Sequence, residues 1–70
     1  MGLKEGKWYR SVVSGVIYRV IKIDTYTRNV ELYSRNLVFH LYLDLDYANK
    51  ILKPLPKLKE ILFEEYYESI

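Results

Sequence analysis

Through the first 45 residues of this 70-residue chain, apolar positions recur with a period near two and are interrupted by short polar stretches. That period belongs to a β-strand, whose successive side chains point to opposite faces. Lys7 to Val13, rich in aromatic and β-branched residues, predicts a first strand, and Ser14-Gly15 supplies the turn after it. Val16 to Asp24 predicts a second strand, closed by the polar stretch Thr25 to Asn29. Its apolar residues occupy both parities, Val16, Tyr18 and Val20 against Ile17, Ile21 and Ile23. This predicts a central strand, a strongly bent one, or a bulge near Arg19. Val30 to Ser34 is a third strand, and Ser34-Arg35-Asn36 can turn the chain. Leu37 to Leu45 shows the clearest alternation: Leu37, Phe39, Leu41, Leu43 and Leu45 on one side, Val38, His40, Tyr42 and Asp44 on the other. The first set is expected to face a core.

The period then changes. Residues 46–55 read as a connection in which Asp46 can cap a helical turn through Tyr47-Ala48-Asn49. Pro56 suits the first position of a helix, where its missing N–H would be unbonded in any case. From 56 to 68 the pattern predicts a helix with Leu55, Leu58, Ile61, Leu62, Glu65 or Tyr66, and Ile70 forming an apolar stripe, while Lys57, Lys59, Glu60, Glu64 and Glu68 lie off it. Its charges oppose the helix macrodipole, with lysines in the first turn and glutamates in the last, and Glu60, Glu64 and Glu68 repel one another at i, i+4. Packing must therefore hold this helix, against the meander or against the same helix of a second subunit. The expected fold is mainly β, of the α+β kind: one domain, 1–70. Residues 7–45 form a four- to five-stranded antiparallel meander curled into a small barrel or bent sheet, with one C-terminal helix packed on it.

Composition sharpens this picture. A chain of this length hides only about 60% of the surface its unfolded form exposes. With no cysteine, neither a disulfide nor a cysteine-based zinc site can supplement the core. Self-association or unusually idealised packing remains, and a homo-oligomer is expected. Half the residues are apolar, which argues for a packed domain over disorder. No apolar run approaches the ~18 residues of a membrane span, and Met-Gly-Leu-Lys-Glu-Gly lacks the apolar core of a signal peptide, so a cytoplasmic, membrane-free protein is expected. The absence of glutamine and cysteine beside abundant Lys, Glu, Ile and Tyr is a thermophile-like bias that an AT-rich genome also produces. Net charge is +2 but unevenly placed: residues 1–59 carry all eleven basic side chains and five acids, a net +6, and residues 60–70 carry four glutamates. A basic body favours a polyanionic partner. The acidic tail can contact a protein, cover the basic face of its own body, or be a solvated helix surface.

Four times a tyrosine is followed within two residues by an arginine: Tyr9-Arg10, Tyr18-Arg19, Tyr26-Thr27-Arg28 and Tyr33-Ser34-Arg35. Rings that stack on bases beside guanidinium groups that meet phosphates are the usual equipment of a single-strand binder, each stacked base being worth about 1–3 kcal/mol. If the off-core side of the sheet faces solvent, Tyr9, Tyr33, Arg35, His40 and Tyr42 share a surface, with Arg10, Arg19, Lys22 and Arg28 at its edges and loops. Tyrosine is also simply a good strand residue that pairs across strands, with arginine on the exposed parity. An aromatic cage for a methylated cation, from Trp8, Tyr18 and Tyr33, is a second reading of the rings. On a regular strand, adjacent Tyr9 and Arg10, or Tyr18 and Arg19, point to opposite faces. Tyr33 and Arg35, one residue apart, share a side, and the functional expectation narrows to them.

Catalytic motifs are wanting. There is no cysteine nucleophile, no Gly-rich phosphate loop among three glycines, and no serine with a recognisable base partner. His40, Asp44 and Asp46 share a parity but fall one histidine short of the usual facial triad, so no metal site and no cofactor are expected. The tail helix has an acidic polar face, where an anionic membrane surface calls for a basic one.

The stretch Gly15-Val-Ile-Tyr-Arg-Val-Ile-Lys-Ile-Asp-Thr-Tyr-Thr-Arg-Asn-Val-Glu-Leu32 resembles the central hairpin of SH3-like small barrels of the Tudor and KOW type, in which such a strand crosses a short polar loop into a partner ending in an apolar residue. The resemblance implies an SH3-like barrel. In order of elements, a meander followed by an amphipathic helix is also similar to the small archaeal chromatin proteins, which are far more basic throughout. The expectation is thus a non-enzymatic nucleic-acid-binding module for single strands or RNA, with little sequence specificity and no small-molecule substrate. The alternative is a protein-interaction or assembly subunit, such as an accessory or virus-encoded small protein, that homo-oligomerises through its aromatic face and tail helix.

Overall fold

The computed structural model describes residues 2–69, and the side chains of all of these except Tyr66, Glu68 and Ser69. In chain order the elements are β1 (Trp8–Ser11), β2 (Ile17–Asp24), β3 (Asn29–Tyr33), β4 (Leu41–Asp44), α1 (Leu45–Ile51), β5 (Leu52–Pro54) and α2 (Lys57–Ser69). All strand pairs are antiparallel and join one five-stranded sheet in the order β4-β3-β2-β1-β5. The expected mainly β class and strand number therefore hold. The sheet is open, with β4 and β5 as its two edges, and two helices stand where one was expected.

β2 lies at the centre, as its two-sided hydrophobicity requires. Its register against β3 shifts between Val20 and Lys22. That bulge reverses the parity of the strand, so Val20 and Ile23 both face the core, opposite Leu32 and Val30. The turn before β2 depends on Gly15, whose φ of 76° favours a residue without Cβ, and whose N–H donates to the Ser11 carbonyl at 2.8 Å. The turn after it is set by Asp24, whose carboxylate accepts from the Tyr26 and Thr27 amides at 3.0 and 3.2 Å.

One face of the sheet carries the core: Tyr9, Val20, Val30 and Leu32 close on Ala48, Ile51 and Leu52, with Leu3, Tyr18, Ile23, Leu41, Leu43 and Leu45 around them. Ala48 and Ile51 come from α1, which replaces the connection and its single expected helical turn through residues 47–49 with a seven-residue helix starting at Leu45. Its cap is Asp44 rather than Asp46, the Asp44 carboxylate accepting from the Tyr47 amide at 3.1 Å. β5 follows α1 directly and pairs with β1.

Two expectations from hydrophobic pattern fail. Leu37 to His40 is not strand: Val38 and Phe39 are 91% and 82% exposed. The reason is pairing. Leu41 lies opposite Leu32, near the end of β3, so little strand remains for residues before 41 to join. The helix also turns its other side inward. Leu58, Ile61 and Leu62 are 74%, 47% and 60% exposed, while Glu60, Phe63, Glu64 and Tyr67 are half-buried. The last members of the expected stripe, the Tyr66 side chain and Ile70, lie outside the described residues.

Candidate functional site

Opposite the core face, strand pairing sets Trp8, Arg19 and Tyr33 side by side across β1, β2 and β3. This is the off-core face, since Trp8 alternates with core-facing Tyr9. The turn of α2 that carries Phe63, Glu64 and Tyr67 covers it. The Trp8 ring centre lies 5.3 Å from that of Phe63 and 6.2 Å from those of Tyr33 and Tyr67. Tyr33 meets Tyr67 edge-on at 4.9 Å and His40 at 6.1 Å. Such edge-to-face contacts place positive ring edges on negative ring faces, beyond the apolar area they bury.

Glu64 is the polar centre of this layer. Its Oε1 accepts from the Trp8 indole N–H at 2.7 Å and from Arg19 Nε at 3.2 Å, and its Oε2 accepts from Arg19 Nη2 at 3.4 Å. Partial burial by itself raises the pKa of this carboxyl. The bonds from Trp8 and Arg19 and the charges of Arg19 and Lys7 outweigh that effect and hold it below the ordinary glutamate value. The Arg19 guanidinium also stands 4.5 Å from the Tyr67 ring centre, and that of Arg35 stands 4.3 Å from the centre of Phe63. The Arg19 guanidinium thus meets the ring of Tyr67, with Trp8 and Tyr33 as its neighbours on the flanking strands.

The eight expected binding residues occupy several places. Tyr33, Arg19 and Arg35 all meet α2. Tyr9, expected on the exposed side, is 7% exposed in the core, its hydroxyl accepting from the Lys4 amide at 2.9 Å. The alternation that puts Trp8 outward puts Tyr9 inward. Arg10 is exposed and lies between Ile17 and Lys53 in the sheet. Lys22 and Tyr42 flank Glu31 on the off-core face beyond the bulge, both exposed. Arg28, at φ 59° on the β2–β3 turn, pairs with Asp46. Tyr18 lies opposite Tyr9 on the core face, apart from Trp8 and Tyr33. His40 pairs with Glu31, Asp44 caps α1 and Asp46 holds Arg28, so the three are separately engaged, and among the described residues no group of three or more metal-binding side chains forms.

The sequence pattern did not single out Phe63, Glu64 and Tyr67, which sit off the apolar stripe. The signal that bore on them was the charge asymmetry, an acidic tail able to lie on a basic body. No protein-family model, curated protein or solved structure matches this chain.

Proposed function

We propose that the chain is a non-enzymatic protein-interaction module whose working surface is the outward side of α2. One observation carries this reading: Leu58, Ile61 and Leu62 form a contiguous apolar stripe at i, i+3, i+4 that stays exposed while the helix packs through its other side. The packing of α2 on Tyr33, Arg19 and Arg35 adds support, because base stacking there requires displacing the helix. A photoreactive residue at position 62 tests the reading. In extract of the source cells it should give a discrete protein adduct that the same residue at exposed position 26 does not. Equal labelling from both positions, or none from 62, overturns it.

A second reading, nucleic-acid binding, is favoured by one detail. Arg10 and Lys53 stand directly opposite each other on neighbouring strands, both exposed, and like charges so placed cost stability until an anion bridges them. Fluorescence-anisotropy titration with mixed single-stranded oligonucleotides at two salt concentrations tests it. Binding that falls steeply with salt and is lost in Arg10→Ala with Lys53→Ala supports this second reading. No binding at low salt eliminates it.

A further inference from the structure

We propose that the occupant of the α2 surface is α2 of a second copy of this chain, packed antiparallel about a two-fold axis near Ile61. The inference rests on the reading of that surface as a protein-docking face. Lys57, Ile61 and Glu65 lie four residues apart along one ridge of the helix, and all three are exposed. Lys57 and Glu65 are equidistant from Ile61 in sequence and opposite in charge. A ridge of this kind is complementary to itself only when reversed: Lys57 then meets the partner's Glu65, the partner's Lys57 meets Glu65, and Ile61 packs near its own copy. Leu58 and Leu62, on the adjacent ridge, close the apolar centre. This is the self-complementarity that an isologous two-fold interface requires. A parallel pairing would instead set Lys57 against Lys57 and Glu65 against Glu65.

The same arrangement accounts for a peculiarity of the helix. α2 carries lysines at its positive N-terminal end and glutamates at its negative C-terminal end, the unfavourable order for an isolated helix. In an antiparallel pair each lysine end lies beside the partner's C-terminal carbonyls and glutamates, and the charge pattern becomes favourable. Thirteen residues is also near the lower limit for a helix that stands without packing. Burying its second face supplements a domain whose size limits its core. The assembly is layered, with the two sheets outermost of α2 and its copy.

Sedimentation equilibrium on the purified 70-residue chain tests the proposal. A concentration-dependent dimer is expected, weakened at least tenfold by Ile61→Asp or Leu62→Asp. Lys57→Glu and Glu65→Lys alone should each weaken it at low salt, and the double exchange should restore it, a rescue that a merely structural role would not give. Both charge exchanges lie on exposed positions, so circular dichroism should stay that of the parent. A monomer at all concentrations overturns the second-copy inference and leaves the docking reading to the crosslinking at position 62. A dimer insensitive to Ile61→Asp and Leu62→Asp places self-association elsewhere and equally overturns it. Loss of dimer on both apolar changes without rescue by the double exchange rejects the antiparallel register.

Discussion

Replacing Glu64 by alanine removes the acceptor on which the layer between sheet and α2 depends. Trp8 is 1% exposed, and its indole N–H has Glu64 Oε1 at 2.7 Å. A buried donor left without a partner costs about 1–3 kcal/mol. The ion pair with Arg19 adds less, because its two side chains keep 20% and 32% of their exposure and solvent screens them; such pairs contribute up to about 1 kcal/mol. Arg19 retains its position against the Tyr67 ring. The expected loss for Glu64→Ala is thus about 2–3 kcal/mol, from a total of roughly 4–10 kcal/mol for a domain of this length. At ~4–8 °C per kcal/mol this lowers Tm by about 10–20 °C. Glu64→Gln keeps an oxygen for the indole and loses the charge that strengthens these bonds, so about 1 kcal/mol is expected. Urea unfolding followed by Trp8 fluorescence measures all three proteins. A Glu64→Ala variant within about 0.5 kcal/mol of the parent would refute the packing of α2 on Trp8, and a Gln variant as unstable as the Ala variant would refute the role of the indole bond.

Acid should weaken the same contact. Glu64 has a folded-state pKa below its unfolded value, so the unfolded chain binds the proton more readily. Its contribution is fully present above the ordinary glutamate pKa of about 4.3 and is lost as pH falls through the lower folded value. The stability gap between the parent and Glu64→Gln should therefore narrow below about pH 4.3. A gap constant down to about pH 2 would contradict the depressed pKa, and taking the difference cancels the parallel contribution of Asp24, whose carboxyl the Thr27 and Tyr26 amides also hold low. In the core, Leu32→Ala should cost about 2–5 kcal/mol, since Leu32 is fully buried beneath α1 and its neighbours. Phe39→Ser should change stability by less than about 0.5 kcal/mol, because the ring is 82% exposed. Chemical denaturation distinguishes the two, and a Phe39 cost comparable to that of Leu32 would show that residues 37–40 do face a core.

The strands were legible where alternation coincided with available partners. β2 declared itself by its two apolar parities, and both turns beside it carry the residues their geometry needs, Gly15 and Asp24. Leu37 to Phe39 alternate just as well, yet they lie beyond the reach of β3, and hydrophobic pattern cannot report the length of a neighbouring strand. Of the short elements, β5 left no signal and α1 only that of a single capped turn. Leu45, Ala48 and Ile51 meet the core over only seven residues, too short a run to show a helical period, and either Asp44 or Asp46 has the chemistry of a cap. Hydropathy points to the opposite face of α2 because it ranks leucine above tyrosine and glutamate. The sheet, however, offers a tryptophan donor, a guanidinium and two aromatic rings, and Phe63, Glu64 and Tyr67 match them group for group. Tyr33 and Arg35 both meet the chain's own helix, Tyr33 from the end of β3 and Arg35 from the turn that follows it.

α2 closes over the Trp8–Arg19–Tyr33 face, and Trp8, the single tryptophan of the chain, reports on that closure directly. Acrylamide quenching of Trp8 fluorescence in the native 70-residue chain should give blue-shifted emission with a quenching constant several-fold below that of the urea-unfolded chain. Red-shifted emission quenched as readily as in the unfolded chain would show instead that α2 leaves the face open to solvent and to ligands.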